Sequence, residues 1–383
     1  MSVTAAQGFE AAGVAAGLKH SGDRDVALVV NRGPSQAAAA VFTSNRAVAN
    51  PIIWSRQVIG DGTVSAIILN SGGANCFTGH EGFQATHATA EAVAEAVGVS
   101  SGDVLVCSTG LIGEQLPLDK LRQGVTDAAA ALSADGGDAA AHAILTTDTH
   151  AKTSVRTGEG YTVGGMAKGA GMLAPGLATM LVVITTDAQL AASALDSALR
   201  NATRVTFDRL DSDGCMSTND QVTLLASGAS GAAPDEAAFT AVLTEVCRDL
   251  AEQLQSDAEG ASHDIAITVT GAATEDDAVE VGRAVARNNL FKAAVFGNDP
   301  NWGRVLAAIG TTSAPFDPYA VDVSMNGVRV CHAGGPDQPR ELVDLTPRAC
   351  SVLIELHAGD AEATILTNDL THDYVHENSA YSS

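Results

Sequence analysis

The junction between Ala178 and Thr179 holds the residue pair with the clearest chemical potential in this chain. It lies in the run Lys168-Gly169-Ala170-Gly171-Met172-Leu173-Ala174-Pro175-Gly176-Leu177-Ala178-Thr179-Met180-Leu181-Val182-Val183-Ile184. Gly and Pro punctuate loops, and a short apolar, β-branched run reads as a buried strand. Thr179 is therefore expected to open a core strand and to face a loop of small residues. Cutting the chain before it would place a free amine beside the Thr179 hydroxyl. A threonine and its own N-terminal amine form a nucleophile–base pair. The same position also suits a threonine that only packs, because β-branched residues favour strands.

Other polar groups are candidates to serve such a nucleophile. Ser108-Thr109-Gly110-Leu111-Ile112-Gly113 follows an apolar stretch and has the composition of a tight turn. A turn of this kind can aim a hydroxyl and backbone N–H groups at one point, as a developing oxyanion needs; it can equally be an ordinary strand-to-loop turn. Lys168-Gly169-Ala170-Gly171 lacks the spacing of a phosphate loop, since no Gly-Lys-Ser/Thr follows at the required offset. An ammonium there would instead disfavour protonation of a second amine. It would keep a freed Thr179 amine nearer its neutral, proton-accepting form.

Thr146-Thr147-Asp148-Thr149 can cap a helix or line a pocket. Glu259 follows a long helical pattern and stands before Gly260, a setting typical of a solvated surface carboxylate. Trp302 and Arg304, in a segment dense with turn residues, suit packing and pairing. The ten histidines supply no triad, and the six cysteines form no CxxC pair and no zinc spacing, so no metal is expected.

The elements that must position these groups alternate. Residues 26–30, 37–43, 63–70, 103–107, 180–184, 221–226 and 264–270 read as strands. Helical patterns cover residues 84–97, 118–132, 139–145, 188–205 and 235–256. In the last of these, Phe239, Val242, Leu243, Val246, Leu250 and Leu254 recur at three- and four-residue steps. Thr274-Glu275-Asp276-Asp277 resembles a helix-start box with Asp in place of the usual Glu. The last hundred residues read as short strands and loops of a smaller lobe.

Bulk composition excludes several classes. With 46% hydrophobic and 17% charged residues, the 383-residue chain is globular. A formal net charge of −24 argues against nucleic acid and anionic membrane as partners. The first residues lack a basic and then apolar leader, and no apolar run reaches membrane-spanning length. A cytoplasmic protein with reduced thiols is the expectation.

Several long blocks then match one family. Gly8-Phe9-Glu10-Ala11-Ala12-Gly13, Asn70-Ser71-Gly72-Gly73-Ala74-Asn75, the block from Lys168 to Leu181, Ser217-Thr218-Asn219-Asp220, Asp299-Pro300-Asn301-Trp302-Gly303-Arg304 and the terminal Glu377-Asn378-Ser379-Ala380-Tyr381-Ser382-Ser383 occur in order. Over nearly its whole length the chain resembles the ornithine acetyltransferases, self-processing enzymes with an N-terminal threonine.

The resemblance implies a mixed α/β fold: a layered α-β-β-α main body and a smaller C-terminal α+β lobe at about residues 275–383. It implies autocatalytic cleavage between Ala178 and Thr179, giving subunits 1–178 and 179–383 that assemble as two of each. Thr179 would then carry the acetyl group of N-acetylornithine to glutamate in two covalent steps, with Thr109 and Gly110 as the oxyanion hole. Thr146, Lys168, Thr179, Glu259, Asn378 and Ser383 would bind substrate. No cofactor is implied, although acetyl-CoA is a possible co-substrate of a second, N-acetylglutamate-forming activity.

Two positions depart from the family pattern. Ala261-Ser262-His263 stands where Ala-Thr-Lys is usual, and loss of that fixed charge is expected to alter substrate affinity or its pH dependence. Cys76-Phe77 replaces the more usual Ala-Cys order, which argues against a catalytic cysteine. Two competing readings are a self-processing amidohydrolase or aminopeptidase of similar fold, with water as acceptor, and an uncleaved protein that binds acylated amino acids.

Overall fold

Strand side chains that are apolar on both faces decide the architecture, seen in a computed structural model that describes residues 2–174 and 180–380. One sheet holds β1 (Phe9–Val14), β2 (Val26–Asn31), β4 (Ala66–Asn70) and β5 (Val104–Ser108), side by side in that order. A second runs β3 (Ala37–Phe42), β9 (Gln221–Ala226), β8 (Leu181–Thr186), β7 (Tyr161–Lys168), β6 (Lys152–Gly158). β8 is central, parallel to β9 and antiparallel to β7, with Leu181 level with both Gln221 and Lys168.

Alternation along each strand builds a core on either side. Leu181 and Val183 of β8 meet Ile67, Leu69 and Leu105 of the other sheet. Val182 and Ile184 point the opposite way, toward Leu195 and Leu199 of α5 (Ala192–Arg204) and Phe239, Leu243 and Leu250 of α6 (Glu236–Ser256). On the outer face of the first sheet, Val26, Leu28 and Val30 pack on α2 (Gly79–Val97) and α3 (Leu118–Ala130). α1 (Asn50–Val58) docks on β5, where the Trp54 indole donates to the Val104 carbonyl at 2.9 Å. α4 (Gly137–Ala143) feeds alanines into the core between the sheets. The result is the expected α-β-β-α layering.

A six-stranded sheet forms the C-terminal lobe, in the order β13 (Gly335–Pro336), β12 (Val328–His332), β11 (Asp322–Met325), β14 (Ala349–Glu355), β10 (Asp264–Ala272), β15 (Ala361–Asn368). α7 (Glu275–Ala286), α8 (Asn289–Phe296) and α9 (Trp302–Ile309) share its core through Val281, Val285, Phe291 and Val305. The Thr274 box caps α7 as its sequence indicates: Asp277 N–H donates to Thr274 Oγ1 at 3.1 Å. The lobe therefore contains three helices where the sequence pattern pointed to strands and loops with a single helix start. α8 and α9 are eight residues each, too short to develop a long period. α10 (His372–Ala380) returns the chain to the main body.

The β6–β7 hairpin is missing from the sequence reading, as are β1 and α1. β6 is largely polar, and Gly164 and Gly165 interrupt β7, so neither strand shows a clean alternation. The hairpin matters because β7 ends on Lys168, which is a strand residue and not part of the loop.

Candidate active site

Two adjacent turns form one wall. β4 and β5 are parallel with Asn70 level with Ser108, so the turns that follow leave the sheet together. Thr109 N–H donates to the Asn70 carbonyl at 3.0 Å, Gly73 N–H to the Thr109 carbonyl at 2.9 Å, and Ala74 N–H to the Leu111 carbonyl at 2.9 Å. Asn219 clamps the pair: its Nδ2 donates to the Ala74 carbonyl at 2.6 Å and to the Ser108 carbonyl at 2.9 Å. Ser108 Oγ accepts from Asn70 Nδ2 at 2.6 Å and so belongs to the scaffold.

This arrangement leaves the Thr109 hydroxyl and the Gly110 backbone facing a cavity of about 340 Å³. The Gly110 N–H has no partner among the described residues. Gly110 has φ +127°, and a Cβ there would lie 2.9 Å from the Gly73 nitrogen. Only glycine fits a turn so tight. A hydroxyl facing the cavity and an N–H without a partner among the described residues, side by side, are the donors an oxyanion requires.

β7 supplies the second wall. Lys168 is 2% exposed, and its Nζ lies 3.4 Å from Thr109 Oγ1. Burial lowers its pKa below the ordinary lysine value. The nearby Lys152 charge lowers it further, while Asp148, Asp220 and Glu259 oppose the shift.

Glu259 forms the third side. Its backbone N–H donates to the Ala170 carbonyl at 3.0 Å, which draws the residue after α6 against the loop after β7. Its carboxylate accepts from Thr147 Oγ1 at 2.8 Å and from Asn378 Nδ2 of α10 at 3.0 Å. The solvated-surface reading of Glu259 is thus corrected: it is half-buried and lines the cavity. Gly171 makes room for it, since a Cβ at that position would sit 2.6 Å from both carboxylate oxygens.

Thr146 also lines the cavity, with its N–H donating to Asp148 Oδ2 at 3.0 Å. Thr146 and Thr147 of this run therefore line the pocket, and the run caps no helix. The sequence named Thr147 only as part of this run and gave it no binding role of its own. A threonine hydroxyl gives no local signal of a carboxylate partner 112 residues away.

Asp220 stands where the strand resumes after the junction. Its Oδ1 accepts from Met180 N–H at 3.0 Å. Burial pushes its pKa well above the usual carboxylate range. Ser217 and Thr218, from the same sequence block, line the cavity. Ala178, Thr179 and Ser383 lie outside the described residues. Of the other candidates, the structure brings Thr109, Gly110, Thr146, Lys168, Glu259 and Asn378 to this one cavity.

His263 is elsewhere. Its Nδ1 lies 2.7 Å from Asp369 Oδ2 and its Nε2 2.8 Å from the Leu345 carbonyl, where it fastens parts of the C-terminal lobe together. The residue does not line the cavity, so the departure from the family lysine bears on lobe packing and not directly on substrate contact. Trp302 packs on the lobe core, and Arg304 donates to the Leu290 carbonyl. Cys76 is buried and unpaired. Among the described residues, no group of three or more His, Cys, Asp or Glu side chains could hold a metal ion, and no helix is long and apolar enough to cross a membrane.

The ArgJ family model matches residues 10–383. The "arginine biosynthesis bifunctional protein ArgJ" of Streptomyces coelicolor is 64% identical over 383 residues, covering 100% of both chains. The protein of the same name from Thermobifida fusca is 61% identical over 383 residues, again with full coverage of both. A solved chain from Mycobacterium tuberculosis, described as ornithine acetyltransferase complexed with ornithine, is 49% identical over 47% of this chain and 96% of its own, with a TM-score of 0.43.

Proposed function

The chain belongs to the ArgJ family, and from that premise we propose that it transfers an acetyl group from N-acetylornithine to glutamate through a threonine nucleophile that it frees by cutting itself. The observation that carries this reading is the convergence of Thr109, Gly110, Lys168 and Glu259 on one cavity. That cavity adjoins Asp220, the residue bonded to Met180 N–H, one peptide beyond the junction.

Maturation begins when Thr179 Oγ attacks the Ala178 carbonyl carbon. The Thr179 hydroxyl proton passes to the leaving amide nitrogen as the C–N bond breaks, giving an amine on Thr179, and an ester links the two halves. Water then cleaves the ester, leaving a carboxylate on Ala178 and a free amine and hydroxyl on Thr179. Residues 1–178 and 179–383 become the two subunits, and two of each assemble in a cytoplasmic enzyme.

In turnover, the freed amine accepts the hydroxyl proton as Thr179 Oγ attacks the acetyl carbonyl. The tetrahedral oxyanion forms against the Thr109 hydroxyl and the Gly110 N–H. Ornithine departs carrying the proton. Glutamate then attacks the acetyl ester through its amine, Thr179 recovers its proton, and N-acetylglutamate leaves. Two covalent half-reactions predict ping-pong kinetics.

Glu259 has the charge to receive a substrate ammonium, and Lys168 the charge to receive a carboxylate. Thr146, Asn378 and Ser383 complete the binding set. No cofactor enters these steps; acetyl-CoA is the donor we assign to a second activity that makes N-acetylglutamate directly.

Intact mass and N-terminal sequencing of the purified protein, followed by an acetyl-transfer assay, test the reading. Two fragments, one beginning Thr179-Met180-Leu181, together with transfer from N-acetylornithine to glutamate, are expected. An uncut chain without transfer overturns it. Acetate release that outcompetes millimolar glutamate replaces the transferase with the hydrolase.

A further inference from the structure

Behind the cavity lies a buried charge cluster to which the catalytic reading gives no role. Asp148 and Lys152 have fully buried side chains, and Asp257 is nearly so. Lys152 Nζ bridges the two carboxylates, at 2.7 Å from Asp148 Oδ1 and 2.5 Å from Asp257 Oδ2. Buried ions unite only where the geometry is good and the remaining lone pairs are bonded, and both carboxylates meet that condition.

The remaining bonds of Asp148 lead to a cavity residue and to the neighbour of another, while Asp257 also has His150 Nδ1 at 3.4 Å from its Oδ1. Asp148 accepts from Thr146 N–H at 3.0 Å and from Gly169 N–H at 2.6 Å. One carboxylate thus fixes the Thr146 loop and the turn that follows Lys168. Asp257 accepts from Thr149 N–H at 3.0 Å and from the Thr149 hydroxyl. Two residues further along the chain is Glu259, so the far end of the bridge holds the segment that carries the third wall.

We propose that Asp148, seated on the Lys152–Asp257 bridge, is a positioning residue that holds Thr146 and the Gly169 turn in place and supplies the counter-charge that keeps Lys168 cationic in the cavity. This rests on the reading of the cavity as the acetyl-transfer site. Charged groups from every neighbouring segment act on Lys168: Asp148, Asp220 and Glu259 favour its charged form, while Lys152 and Lys19 oppose it. Asp148 is the strongest of the favourable partners. Its own pKa shows the reciprocal effect. Burial would raise it, yet the Lys168 and Lys152 charges and the bonds from Lys152 and Gly169 bring it down to about 2.

The test compares wild-type protein with Asp148→Asn and Asp148→Glu, each as the full chain. Two pH titrations are made: kcat/KM for acetyl transfer, and mass-spectrometric labelling of Lys168 by a pulse of acetic anhydride. The Asn variant is expected to label Lys168 at a pH lower by about one unit or more. The alkaline limb of its kcat/KM profile should move by the same amount, and KM should rise on the order of tenfold with a smaller change in kcat. The Glu variant keeps the charge and loses the fit to the two N–H groups, so its labelling curve should stay with wild type while KM rises. If Asn folds poorly, the Glu variant still decides, because a labelling curve displaced as far as expected for Asn overturns the charge role. Superimposable curves for Asn and wild type overturn the proposal. A wild-type protein that transfers no acetyl group overturns the catalytic reading instead, while the labelling curves still report on Asp148.

Discussion

The Lys168 ammonium lies 3.4 Å from the Thr109 hydroxyl oxygen, joining two strand ends from different sheets across 59 residues of chain. The contact aims the hydroxyl into the cavity, and it gives Thr109 a role separable from folding. All the backbone bonds that hold the turn remain when the side chain is removed. Thr109→Ala is therefore expected to lower kcat by about 10² to 10³ with little change in thermal midpoint. Single-turnover acetylation rates with a melting curve check this, and an unchanged rate removes Thr109 from the oxyanion hole.

Gly171 tests whether the Glu259 carboxylate binds substrate where it stands. A methyl group in its place would sit 2.6 Å from both oxygens, a distance that forces the carboxylate to swing away from Thr147 and Asn378. Gly171→Ala should raise KM for the amino substrate on the order of tenfold, since losing one charge-assisted contact costs about 1.5 kcal/mol. Steady-state kinetics decide. A KM equal to wild type would mean that Glu259 acts from another position or not at all.

Asn219 carries no chemistry in the proposed cycle and still should matter to it. Its amide satisfies the carbonyls of Ala74 and Ser108, both beside the oxyanion turn. Asn219→Ala strands two buried acceptors and is expected to destabilise the protein by about 1–3 kcal/mol. Urea unfolding measures this, and kcat should fall with it as the turns loosen. Full activity at unchanged stability would show that the turns hold each other without the clamp.

Asp211 makes the C-terminal lobe's attachment pH-sensitive. Its N–H donates to the Leu366 carbonyl at 2.8 Å, and its carboxylate pairs with Arg287 at 2.7 Å. Burial nevertheless dominates over Arg287, Arg283 and Lys292 and raises its pKa to about 6. A raised carboxyl pKa means the native state holds the proton more tightly than the unfolded chain. Its stabilising contribution is complete below about pH 4 and disappears as pH rises through 6. Asp211→Asn stays neutral throughout. The stability advantage of wild type over this variant should shrink by about 3 kcal/mol between pH 4 and 7. Unfolding measured across that range gives the answer, and a pH-independent difference would contradict the shift.

Much of the frame could be read from local pattern. The β8 strand shows as a run that is apolar on both faces, α6 as a stripe at helical spacing, and the Thr109-Gly110 turn as small residues after an apolar strand. The β6–β7 hairpin escaped because its polar residues and paired glycines erase the period on which such reading depends. Glu259 looked solvated because a carboxylate between a helix and a glycine carries no local mark of Thr147 and Asn378, which reach it from distant segments.

By itself the sequence determined which segments could be buried on one face or two, where turns must fall, and, through its long matching blocks, the family to which the chain belongs. Those properties depend on neighbours within a few residues. Only the tertiary structure decided that Asp148, Lys152 and Asp257 share one buried bridge, that Lys168 ends a strand opposite Leu181, and that His263 serves the lobe and not the cavity. Sheet order and register set those meetings, and the free energy of a buried charge depends on what arrives around it from remote parts of the chain.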